Sequence, residues 1–182
     1  MSGQRNPWFR AMLVAALGGV ILSLAGWEAL LTIPLAAVMA ALALGVLRSY
    51  RRSRTAVIGL VVALVGLAVL MIGLAVPAVA EFADSTPLAV AIEAALVGLA
   101  VLALGAGRAS RRPGLLAVAG ISLPLVVGVV LTPVLEAVDA YGDGQAWLAG
   151  LFAGLAFLAV ALHLATPPAG RTWSAKAGLG AA

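Results

Sequence analysis

Few side chains in this chain offer chemistry inside its apolar stretches, and Glu93 is the most informative of them. It is the one acid that falls clearly within an apolar run rather than between runs. If Pro87 opens the helix that carries it, Glu93 lies about 9 Å into that helix. At that depth in a bilayer a carboxylate costs a few kcal/mol unless it is neutral, paired or hydrated. Proton or cation coupling and contact with a polar substrate are the functional readings. A neutral or hydrated glutamate bonded to a neighbouring helix is the structural one.

Depth counting along the neighbouring runs places Ser23, Thr32, Pro34, Pro77, Gly128 and Thr132 in the same half of the membrane as Glu93. Proline frees a backbone carbonyl and small residues leave room, so the expectation is a polar vestibule. Gly120-Ile121-Ser122-Leu123-Pro124 adds a mid-span kink, in which Pro124 releases the Gly120 carbonyl and Ser122 can partly satisfy it. Glu93, Ser122, Pro124 and Thr132 form the candidate intramembrane polar site, with a purely structural kink the plainer account of Pro124.

His163 is the single histidine. It has no cysteine or acid at helical spacing beside it, so it makes a poor metal site and reads as an interfacial residue. No catalytic or cofactor-binding residue is expected. The chain lacks a GxSxG elbow, an HExxH pair, a P-loop and a GxGxxG turn after a strand, so it is read as a non-enzyme without cofactor or metal. There is no cysteine, which excludes disulfides and thiolate sites.

The elements that must position these residues are membrane helices. The chain of 182 residues is 64% hydrophobic and 10% charged, with a mean hydropathy of +1.16. A soluble domain carries roughly 25% charged residues, so there is too little polar surface here to cover one. The run 11–47 would make one helix of about 55 Å, too long for a single crossing. It suits two short crossings of a core about 30 Å thick. The whole chain reads as an all-α integral membrane protein of six transmembrane helices, arranged as three helical hairpins. The spans are about 11–26, 29–47, 55–80, 87–107, 114–135 and 146–165. Residues 1–10 form a short N-terminus and 167–182 a mobile tail. The stretch Ala11–Trp27 could pass for a signal peptide, but no charged soluble region follows, and it is read as a retained first span.

Charge gives the orientation. All eleven Lys and Arg fall in four places: Arg5 and Arg10; Arg48, Arg51, Arg52 and Arg54; Arg108, Arg111 and Arg112; and Arg171 with Lys176. Six spans put these four segments on one side. Glu28, Glu81, Asp84, Glu136, Asp139 and Asp143 fall on the other. Basic loops stay in the cytoplasm during insertion, so both termini are expected inside, in the cell membrane. The arginines sit in short clusters without an aromatic-laced stripe, so nucleic acid is not an expected partner. The bilayer is, and beside it either other membrane subunits or a second copy of the chain.

Glycine recurs every seven residues at Gly59, Gly66 and Gly73, and again at Gly98 and Gly105, while Gly150 and Gly154 make a GxxxG pair. Such faces let helix backbones approach closely in lipid. Packing within the bundle is the simpler reading, and an oligomer interface the alternative. The functional expectation is a small polytopic membrane protein without catalytic activity, either accessory to a larger assembly or a six-span protein on its own. The alternative is a small oligomeric transporter or channel using Glu93 and the span 5 kink.

Overall fold

A computed structural model describes residues 6–76, 86–111 and 143–166. Its described elements are helical: α1 (Pro7–Leu24), a 3-10 turn (Glu28–Leu30), α2 (Thr32–Tyr50), α3 (Arg54–Ala75), α4 (Thr86–Ser110) and α5 (Asp143–Ala165). Five helices among the described residues are long and apolar enough to cross a membrane. The expected span at 114–135 and the tail at 167–182 lie outside the described residues.

Helix α1 begins at Pro7, earlier than the apolar run. The Asn6 side chain caps it by accepting from the Trp8 backbone N–H at 3.0 Å. Pro7 occupies the first turn, where a missing N–H costs nothing. The helix ends in a Schellman motif: Trp27 N–H donates to the Leu22 carbonyl and Gly26 N–H to that of Ser23, at 3.0 and 3.1 Å. Gly26 takes φ 73°, which only glycine adopts at low cost. The turn then reverses the chain within a few residues into α2. The long run 11–47 therefore breaks where the two-span reading needs it to break.

Ser53 separates α2 from α3. Its hydroxyl accepts from the Ala56 backbone N–H at 3.3 Å and so caps α3. Helix α4 runs on to Ser110, past the first arginine of the expected loop, and stops where Arg111 turns left-handed at φ 58°.

Helices α3 and α4 make the most extensive contact. Ala56 faces Gly105, Gly59 faces Leu102, Ala63 faces Gly98 and Gly66 faces Ala95. One partner number rises as the other falls, so the pair is antiparallel in a single register. The contact positions on each helix repeat at alternating steps of three and four, a 3.5-residue period that winds two helices left-handedly about each other. On the other flank α1 packs against both α2 and α5. There the fit is of another kind, with the Phe152 ring over Gly19 and the Phe9 ring over Gly45.

Helix α5 is the innermost of the five. Its apolar window is 72% buried, against 28% for α1. Outward faces are apolar as well: Ile58, Val61, Val65 and Ile72 on α3, and Val14, Leu17 and Ile21 on α1, are all exposed. Helices that are apolar on both faces need an apolar surrounding, as a bilayer supplies.

Candidate functional site

Glu93 is exposed. It lies two helical turns from the start of α4, on the face shared with Val90 and Val97, which are 55% and 58% exposed. The opposite face carries Ala91, Ala95, Leu99 and Leu102, all buried. The side-chain direction follows from the spacing. Residues 91, 95, 98, 102 and 105 are claimed by the seam with α3, which leaves positions 90, 93 and 97 pointing outward. Glu93 therefore stands on an apolar outer face, flanked by valines.

The companions expected around it divide into two groups. Ser122, Pro124, Thr132, Gly128 and Pro77 lie outside the described residues. Ser23, Thr32 and Pro34 belong to α1 and α2. Ser23 and Pro34 are buried, and the Thr32 hydroxyl sits 3.4 Å from the Ala29 carbonyl. Helix α4 packs along α3 and only lightly on α5, so the described residues do not bring Ser23, Thr32 or Pro34 to Glu93.

The described arginines gather at the other end of the bundle from Glu93. Three sets of hydrogen bonds tie the helix ends together there. Asn6 Nδ2 donates to the Gly45 carbonyl at 3.1 Å and to Ser49 Oγ at 2.8 Å, joining the start of α1 to the end of α2. Ser53 Oγ donates to the Gly105 carbonyl at 3.3 Å, joining the start of α3 to the end of α4. Tyr50 and Thr166 meet through their hydroxyls at 3.3 Å, joining the ends of α2 and α5. The Thr166 proton is committed to the Leu162 carbonyl at 2.6 Å, so the Tyr50 phenol is the donor between them. Arg10, Arg48, Arg51, Arg52, Arg54, Arg108 and Arg111 flank these contacts and are exposed. Arg112 lies outside the described residues.

His163 is half-buried near the same end and lines a groove between α1 and α5 together with Arg10. Among the described residues no group of three or more His, Cys, Asp or Glu side chains is placed to hold a metal.

The polar latch of Asn6, Ser49, Tyr50, Ser53 and Thr166 was not anticipated from sequence. Asn-Pro before an apolar run is a helix-start signal and would have found Asn6. The partners of Asn6 are 39 and 43 residues away and could not be read locally. Comparison with protein-family models, curated proteins and solved structures finds no match.

Proposed function

We propose that this chain is a small, non-catalytic polytopic protein of the cell membrane that serves as an accessory subunit, meeting a partner through the outer face of α4 at Glu93. The observation that carries this reading is the place of Glu93 on an exposed face between Val90 and Val97. A carboxylate at that depth costs a few kcal/mol against lipid. A polar group on a neighbouring subunit, or on a second copy of the chain, removes that cost. The transporter alternative relies on Glu93 lining an internal path, and exposure on the outer face favours the accessory reading over it.

The topology we propose has six spans with both termini in the cytoplasm. Its support is geometric. Helices α4 and α5 both end beside the arginine-flanked latch, because Gly105 contacts Ser53 and Thr166 contacts Tyr50. Chain leaving α4 at Arg111 must therefore reach the opposite end before α5 begins at Asp143, and a sixth span over about 114–135 makes that crossing. Arginine-rich ends on one face mark that face as cytoplasmic.

Two measurements test the proposal. Glu93→Val and Glu93→Gln variants are purified from native membrane in mild detergent and weighed intact. The valine variant is expected to lose its stoichiometric companion, or its second copy, with the melting temperature of the single chain unchanged. Unchanged composition combined with loss of cation flux in proteoliposomes would establish the transporter instead. The absence of cysteine makes labelling clean. Trp27→Cys is expected to react with an impermeant thiol reagent on intact cells, and Arg52→Cys only after permeabilisation. The reverse pattern would invert the topology.

A further inference from the structure

Between the start of α1 and the end of α5 the surface opens into a groove of about 440 Å³. Arg10 and His163 stand at its mouth, at the arginine-bearing end of the bundle. Leu13, Val14 and Val160 form its walls below, with Leu164 beside His163 at the mouth. The fully buried ring of Phe9 helps form its floor. Val14 is one helical turn from Arg10, about 6 Å deeper along the axis. The groove is thus divided along its length, with a cation at the end nearest the headgroups and branched apolar side chains below. The groove is open along its outer side, since Arg10, Val14, Val160 and Leu164 are all exposed.

We infer that this groove is a binding site for an anionic glycerophospholipid, with the phosphate at Arg10 and the upper acyl segment against Val14 and Val160. Charge complementarity commits the occupant. The groove is lined by one guanidinium and no acid, and it lies at the arginine-bearing end of the bundle. Basic pockets between membrane helices on the side of the anionic leaflet suit phosphate headgroups. A guanidinium fork pairs with two phosphate oxygens at once. The volume falls within the range of about 300–1,000 Å³ typical of small-ligand sites. That accommodates a headgroup and the start of its chains but not a helix of a partner protein. The inference rests on the membrane placement proposed above and is independent of any partner at Glu93.

The test uses the full chain, stripped of lipid in detergent and titrated with phosphatidylglycerol, with phosphatidylcholine of the same acyl chains, and with inorganic phosphate. Intact-mass spectrometry counts the bound molecules. One phosphatidylglycerol is expected per chain, bound several-fold more tightly than phosphatidylcholine. Arg10→Gln should weaken it about fivefold, the effect of one basic residue near an anionic surface. Arg52→Gln, at the same end but outside the groove, should leave it unchanged. Val14→Trp, an exposed position that tolerates bulk, should block the groove and abolish retention while the chain stays folded. Equal loss with Arg52→Gln would reduce the effect to the general surface charge and overturn the proposal. Full retention in Arg10→Gln, or displacement of the lipid by inorganic phosphate alone, would overturn it as well.

Discussion

The two flanks of this bundle solve the same packing problem in opposite ways. Along α3 and α4 the helices meet backbone to backbone. A Cβ added at Gly98 would meet the backbone of Ala63 and Val62, and one at Gly66 the backbone of Ala91 and Ala95. Along α1 the contact is ring into hollow, with Phe152 filling the space over Gly19 and Phe9 that over Gly45. Lipid tails are as apolar as leucine, so neither junction gains much from leaving its solvent. Each must gain from dispersion and from weak Cα–H···O contacts, which demand close approach. Glycine provides that approach in both places, but what sits opposite differs. A side chain can turn or be exchanged, whereas backbone can only move with its whole helix.

The difference predicts unequal tolerance. Gly98→Ala gains up to about 1 kcal/mol of helix propensity. Against this stands overpacking of about 1–3 kcal/mol, at its upper end where the obstacle is backbone. The net expectation is a loss of about 2 kcal/mol, which lowers the melting temperature in detergent by about 4–8 °C. No side-chain substitution at Ala63 or Val62 should restore it, because the obstacle there is backbone and not a side chain. Recovery by such a second change would erase the distinction between the two junctions.

Asn6→Ala is expected to come next. It removes the cap of α1 and the bonds to Gly45 and Ser49 together, at a cost of about 1–2 kcal/mol. Proteolysis at the N-terminus, faster in the variant than in the wild type, would report fraying of that end. Equal rates would show that α1 is held by its ring contacts alone.

Adjacent glycines on α1 give the smallest and most discriminating pair. A Cβ at Gly19 would strike the Phe152 ring, while at Gly18 it would meet nothing within 4 Å. Gly19→Ala should therefore cost about 1 kcal/mol net, overpacking less the propensity gain. Phe152→Leu in the same chain should recover most of it. Gly18→Ala should stabilise by up to about 1 kcal/mol. Thermal unfolding that moved both single variants in the same direction would contradict the ring-in-hollow junction.

Much of the fold was legible because its causes are local. Apolar runs of membrane length, the Trp27–Glu28 break and the arginine clusters specify helices and their ends without reference to any partner. The seven-residue glycine spacing correctly announced a close helix pair. It did not announce which helix would be the mate. Helix α1 starts earlier than hydropathy suggests, because Asn6 and Pro7 cap it regardless of how polar residues 7–10 are. The candidate site was legible only in part. Glu93 stood out as an acid in an apolar run, but its direction was open until the seam with α3 claimed the opposite face of α4.

Sequence alone, then, determined that the described residues are helical, where their five long helices run, and that the arginines among them lie near helix ends. Those are one-dimensional properties of hydropathy, capping and charge. Tertiary structure decided which faces meet, that Glu93 looks outward, and that Arg10 and His163 share a groove although they lie far apart in the chain. Small-residue faces are common throughout this sequence and nearly equivalent by composition. Only the register that lets Gly59, Gly66, Gly98 and Gly105 all reach opposing backbone at once singles out one pairing, and every outward face is what that pairing leaves over.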